Sequence, residues 1–192
     1  MSFRLHVGLG TRTLFLGTLL GVAADSWTVA AQTPSTTPID YFVARLDRVV
    51  HAVPISERID IDGRHDEPAW QRVEPAGNFV QWEPHPEMPA SERTDVRFLY
   101  DDDNLYVGAR CWDSDPHHLT VHELKQDFES REEDVLAILI DSLHDEQSGF
   151  SFWTNPAGAR RDLQIFQDDA QRSVDWDGVW NVKVEVDETG WT

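Results

Sequence analysis

The chain has 192 residues and a formal net charge of −19, from 16 basic and 35 acidic side chains. That balance excludes nucleic acid as a partner, because binding there depends on Lys and Arg neutralising phosphates. Eight Trp and nine Phe supply enough aromatic surface for a core, so the length reads as one domain of ordinary size with a tail.

The first 31 residues read as a secretory signal peptide. Arg4 and Arg12 form a positive start, and "TLFLGTLLGVAA" (13–24) is an apolar stretch too short to span a bilayer comfortably. Small residues at Val29 and Ala31 favour cleavage before Gln32; Ala24 is the alternative site, and an uncleaved anchor the third reading. Cleavage at Gln32 removes Arg4, Arg12 and Asp25, leaving 14 basic and 34 acidic residues and a net of −20. Export is therefore expected, to the periplasm, the outer membrane or the outside of the cell. A single cysteine, Cys111, allows no internal disulfide, and its apolar neighbourhood makes it a buried filler rather than a nucleophile.

Residues 32–50 follow as a linker. "QTPSTTP" (32–38) has linker composition, and Ile39, Phe42, Leu46 and Val49/Val50 recur at the spacing of a short helix. The folded domain is expected over 51–192. In "IDIDGRHDEPAW" (59–70), Ile59 and Ile61 alternate as a short strand, Gly63 supplies a sharp exit at positive φ, and Asp66 is the expected N-cap. Pro68 opens a helical turn, and Trp70 plugs the end of the fold.

The strongest β signal comes next. "TDVRFLY" (94–100) and "LYVGARCW" (105–112) alternate around "DDDN" (101–104), whose short side chains bond their own backbone, so a hairpin is predicted. Val96, Phe98 and Tyr100 share one face of the first strand; Leu105, Val107, Ala109 and Cys111 share one face of the second. "DVLAILID" (134–141) is nearly continuous in apolar residues, as in a strand covered on both faces. "GFSFWTN" (149–155), "RRDLQIFQ" (160–167) and "VWNVKVEVD" (179–187) complete the set. Many short strands separated by turn residues predict an all-β, antiparallel β-sandwich of jelly-roll or Ig-like type.

Four stretches in order, "IDGRHDEPAW", "TDVRFLYDDDNLYVGARCWDSDP", "EEDVLAILIDSLHD" and "FWTNPAGARRD", resemble the family 9 carbohydrate-binding module and its DOMON-like relatives. The likeness covers roughly 55–192. It is nearest to the version at the N-terminus of large exported bacterial cell-envelope proteins, where a second, outer-membrane-associated domain follows. The resemblance implies a jelly-roll sandwich that binds glycans, in a protein linked to polysaccharide catabolism. This chain departs from the sugar-clamping pattern at three places, with Arg131, Ala137 and Trp153 where the pattern has Trp, Glu and Arg. A further stacking Trp of the family lies in a C-terminal segment absent here. "VEVDETGWT" (184–192) reads as the start of a hairpin, so the final strand or strands are expected to be missing.

Sugar recognition requires flat aromatics for C–H faces and planar polar groups for hydroxyls. The candidate ligand-binding residues are Trp82, Arg110, Trp112, Trp153, Asn155 and Trp176, with Arg160 beside them. Packing in a core is the competing role for each Trp. Trp82 sits in the Pro-rich "QWEPHPEMP" (81–89), where loop exposure favours binding. Carboxylate-rich loops make a structural calcium ion the candidate cofactor, with Asp101, Asp103, Asp175 and Asp177 as ligands, although none has EF-hand spacing. His118 and His122 in "HHLTVH" form a weaker metal pair, lacking a third ligand beside them. No G-x-S-x-G, P-loop or H-E-x-x-H motif is present, so a binding module rather than an enzyme is expected. The alternative is a structural module that packs on the outer-membrane-associated domain and binds no sugar.

Overall fold

The computed structural model describes residues 49–86, 88–129, 132–167 and 169–192. The signal peptide, Arg131 and most of the predicted linker helix lie outside them; Val49 and Val50, the last positions of that helix, are in neither helix nor strand. The protein is all-β. Its strands are β1 (Val53–Pro54), β2 (Thr94–Tyr100), β3 (Leu105–Trp112), β4 (Leu136–Ile140), β5 (Gly149–Thr154), β6 (Arg160–Phe166), β7 (Gln171–Ser173), β8 (Val186–Asp187) and β9 (Gly190–Trp191). Among the described residues, a four-residue helix, α1 (Pro68–Gln71), and a 3₁₀ turn at Pro116–His118 interrupt them.

The strands form two sheets. The first runs β1-β2-β3-β9-β8 and the second β4-β5-β6-β7. All pairs are antiparallel except β1 with β2, which is parallel with Val53 opposite Leu99. The β2–β3 hairpin pairs Val96 with Ala109 and Phe98 with Val107, so the alternation in sequence becomes one apolar face. Its turn is held as expected: Asp101 accepts hydrogen bonds from the amides of Asp103 and Asn104 at 2.8 and 2.7 Å.

Val96, Phe98, Ala109 and Cys111 of the first sheet share a buried layer with Leu136 of the second and Trp191 of β9, with Ile138 and Val184 packed alongside. One apolar layer thus joins both sheets, a sandwich-like arrangement. The opposite face of the β2–β3 hairpin carries a second cluster, in which Ile59, Ala69, Trp70 and Val73 lie over Leu99. Trp70 therefore covers the outer face of the first sheet instead of plugging its end. It does so over Gly108, whose missing Cβ would stand 2.8 Å from the indole.

Three local expectations change. Residues 59–61 form no strand; Ile59 turns into the Trp70 cluster, whereas Ile61 is exposed. The N-cap of α1 is Glu67, not Asp66, and its carboxylate accepts from the Trp70 indole N–H at 3.0 Å and from the Asp60 amide at 2.9 Å. Of the predicted 179–187 strand only β8 pairs, together with the Glu185–Thr192 exchange of two backbone bonds. The alternation over 179–184 survives as half-buried Trp180, Val182 and Val184 against exposed Val179, Asn181 and Lys183. A partner strand, which sequence period cannot reveal, is what that stretch lacks. Gly63 has φ of +89°, as its corner demands, and that corner presses on residues 184–185 while Arg64 pairs with Glu185 at 2.6 Å.

Candidate functional site

The six ligand-binding candidates are distributed over separate surfaces. Arg110 and Trp112 share the outer face of the first sheet, since β3 alternates. Arg93 lies 4.3 Å from the Trp112 ring centroid and Arg110 lies 5.7 Å away, so the indole is flanked by cations. Both guanidiniums are committed: Arg93 makes a bidentate pair with buried Asp95, and Arg110 donates to Asp187 at 2.7 Å and also to Thr189. These contacts hold the Asp187 carboxyl well below the usual carboxylate range, first through Arg110 and then through the Thr189 amide and hydroxyl.

Trp153 lies on the second sheet. It pairs with Ala137, so it points away from the face that carries Leu136 and Ile138. Phe128, Val135 and Ala159 pack around it, its indole N–H donates to Ser151 at 2.6 Å, and Arg161 stands 6.0 Å from its ring. Trp176 is on the opposite side, its ring tilted against Phe150 at 4.4 Å and edge-on to Phe152 at 5.9 Å.

Asn155 is 0 % exposed. Its amide donates to the Glu123 carbonyl and to buried Glu133, both at 2.8 Å, and its oxygen accepts from the amides of Ala157 and Ala159. It ties the 155–159 turn to the loop before β4, with no polar atom left for a ligand. Trp82, in contrast, is 82 % exposed. Its loop is fixed on both sides by the Val80–Pro89 bridge and by the bonds Gln81 to Met88 and Ala90 to Phe79.

Among the calcium candidates, Asp101 is occupied by the hairpin turn, the Asn104 amide group and the Tyr106 hydroxyl at 2.7 Å. Asp103 and Asp175 are exposed, and Asp177 accepts from Gln126 at 3.2 Å. Among the described residues no three His, Cys, Asp or Glu side chains gather where one ion could hold them. His118 pairs with Asp115 at 2.8 Å. Cys111 is buried, and burial pushes its thiol up to about 12, as suits a packing residue.

The pocket that sequence reasoning missed lies at the C-terminal segment. It opens to about 350 Å³ and is lined by Ile61, Gly158, Arg160, Asn181, Val182 and Lys183. Three local features build it. The Gly63 corner brings Ile61 against the C-terminal segment. The turn after Asn155 ends at Gly158, with φ of +76° and open space where a Cβ would be. Arg160, at the start of β6, donates to the Trp180 carbonyl at 2.7 Å and lies 5.9 Å from its ring, so the 180–183 stretch is held beside β6. Trp180 is braced in turn by Phe152, edge-on at 5.4 Å. The lining residues include an Arg, a Lys and an Asn, and no Asp or Glu. A usable signal was present: the alternation at 179–184 puts Asn181 and Lys183 together on the polar side.

Comparisons with family models, with curated proteins and with solved structures give no significant match.

Proposed function

We propose that the domain is a non-catalytic carbohydrate-binding module of an exported protein, and that the pocket at Arg160, Asn181 and Lys183 is its binding site. One observation carries this reading: an open pocket of about 350 Å³ whose polar lining is Arg, Asn and Lys, with backbone exposed at Gly158. Planar and charged donors are the groups that bond sugar hydroxyls, and the volume suits one or two sugar rings. Trp82, an exposed indole on a fixed loop apart from the pocket lining, is a separate candidate surface suited to a sugar's C–H face. The module would hold polysaccharide for a protein whose hydrolytic chemistry resides elsewhere. Binding is measured with and without calcium because Asp103 and Asp175 are exposed, although no three such side chains gather at one point among the described residues.

The test is calorimetric titration of the mature chain with glucose, cellobiose and xylan fragments, with and without calcium. Millimolar or tighter binding is expected, weakened several-fold in Asn181→Ala. Absence of both heat and tryptophan fluorescence change across millimolar sugar sinks the reading.

A second reading is supported by exposed Val174, Val179 and Val186 along the C-terminal segment. Apolar side chains there suit a structural module packing on a C-terminal outer-membrane-associated domain of the same protein. Polar replacement of Val179 and Val186 separates the readings: docking to such a domain would weaken, whereas sugar binding would not change.

A further inference from the structure

We infer that the ligand of the Arg160–Lys183 pocket is an acidic glycan, one whose uronate carboxylates are held by these two cations. The inference rests on the binding-module reading above and names the substrate class of that same site.

Charge bookkeeping around the pocket leads to it. Seven of the described Lys and Arg side chains each sit against a carboxylate: Arg58, Arg64, Arg72, Arg93, Arg110, Arg172 and Lys125. With 35 acidic residues against 16 basic ones, such pairing is the ordinary fate of a cation here. Arg97 and Arg161 donate instead to the backbone carbonyls of Val73 and Phe128. Arg160 and Lys183 are the pair that meet at an open cavity, and neither is matched by a described Asp or Glu.

Arg160 is already oriented, because one arm of its guanidinium is bonded to the Trp180 carbonyl. A planar fork fixed in this way keeps its remaining N–H groups for a carboxylate, which guanidinium matches better than it matches a hydroxyl. Lys183 is an exposed point charge on the adjoining stretch, able to swing onto the same anion. Asn181 supplies a donor and an acceptor for the flanking hydroxyls. Gly158 leaves the wall open, so a ring can approach the backbone; any side chain at that position would fill this space. A neutral sugar would use the same donors with weaker, uncharged bonds, so the lining favours the acid.

The protein's overall negative charge opposes an anionic ligand at long range. At physiological salt, screening over about 8 Å leaves the direct contacts to decide affinity. Charge-assisted hydrogen bonds are roughly twice as strong as neutral ones, which corresponds here to a preference of about tenfold.

The experiment is calorimetry of the mature chain with trigalacturonate, cellotriose and xylotriose at physiological salt, on the native sequence, Lys183→Gln and Arg160→Gln. Thermal unfolding of each variant reports the fold, and Lys183→Gln changes only an exposed side chain. Trigalacturonate is expected to bind about tenfold more tightly than either neutral trimer. Lys183→Gln should remove most of that preference, weakening trigalacturonate binding by a larger factor than it weakens binding of either neutral trimer. If the neutral trimers bind as tightly as trigalacturonate, the acidic class is wrong and the binding-module reading stands. A preference that survives Lys183→Gln places the acid at another surface and overturns the assignment to this pocket. Should no trimer bind, both readings fall together.

Discussion

At the scale of single residues, the most consequential polar group is Asn155. Two donors and one oxygen serve four partners, and one of them is the carboxylate of Glu133, which is itself buried and receives the amides of His122 and Glu123. Asn155→Ala strips a bond from Glu133 and strands the amides of Ala157 and Ala159 without a partner. Buried groups left unpaired cost more than the bond itself contributes, so a loss of about 3 kcal/mol is expected in urea denaturation. A loss under about 0.5 kcal/mol would mean that water reaches these groups, and the turn would then not be anchored as described. The same turn carries Gly158 to the pocket, so the variant should also weaken ligand binding. Asn155 began as a ligand candidate because its residue type suits sugars. Its actual use depends on Glu123 and Glu133, which lie 32 and 22 positions away, and no local pattern encodes that.

At the scale of elements, the docking of α1 on the first sheet gives a pH-dependent prediction. His65 lies 5.0 Å from the Trp70 ring, and the position of a Cβ on Gly108 would be 2.6 Å from its Nε2, so the imidazole is wedged against β3. Burial lowers its pKa below 6.5, the Arg97 and Arg110 charges assist, and Glu67 and Asp62 oppose. The unfolded chain then binds a proton at a pH where the folded one does not. Stability is full above about pH 7, falls as pH drops through 6.5, and levels off below the folded value. Urea midpoints at pH 7.5, 6.5 and 5.5 should show this decline, and it should be smaller in His65→Gln. An identical decline in both proteins would refute the role of His65. The elements differ in how legible they were. The β2 and β3 boundaries follow directly from the sequence, because period-2 alternation and an Asp-rich turn are local signals. The 59–61 and 179–185 stretches have the same alternation yet form no regular strand, because a strand also requires a neighbour to pair with. The tryptophans were recognisable as important, but Trp112, Trp153 and Trp176 face three different directions. That separation is a property of sheet order and not of spacing.

At the scale of the whole molecule, the excess of 19 negative charges must be carried by a fold with no internal disulfide. Two electrostatic effects compete when salt is added. The ion pairs are mostly at the surface, such as Arg58–Asp60 and Arg172–Asp169, and exposed pairs contribute only about 0–1 kcal/mol each. Weakening them costs little stability. Repulsion among the unmatched carboxylates is spread over the whole surface and acts at all separations shorter than the screening length. Raising NaCl from 0.1 to 1 M shortens that length from about 10 to about 3 Å, which removes most of the repulsion. The repulsive term should win, so thermal unfolding is expected to shift upward by about 3 °C or more, the equivalent of roughly 1 kcal/mol for a domain of this size. A downward shift would show that the surface ion pairs outweigh the net charge. Arg110–Asp187 would then be the first pair to test: Arg110 is only 15 % exposed, and the pair joins β8 to β3 across β9. In that event Asp187→Asn should reproduce the loss at 0.1 M NaCl and abolish further sensitivity to salt.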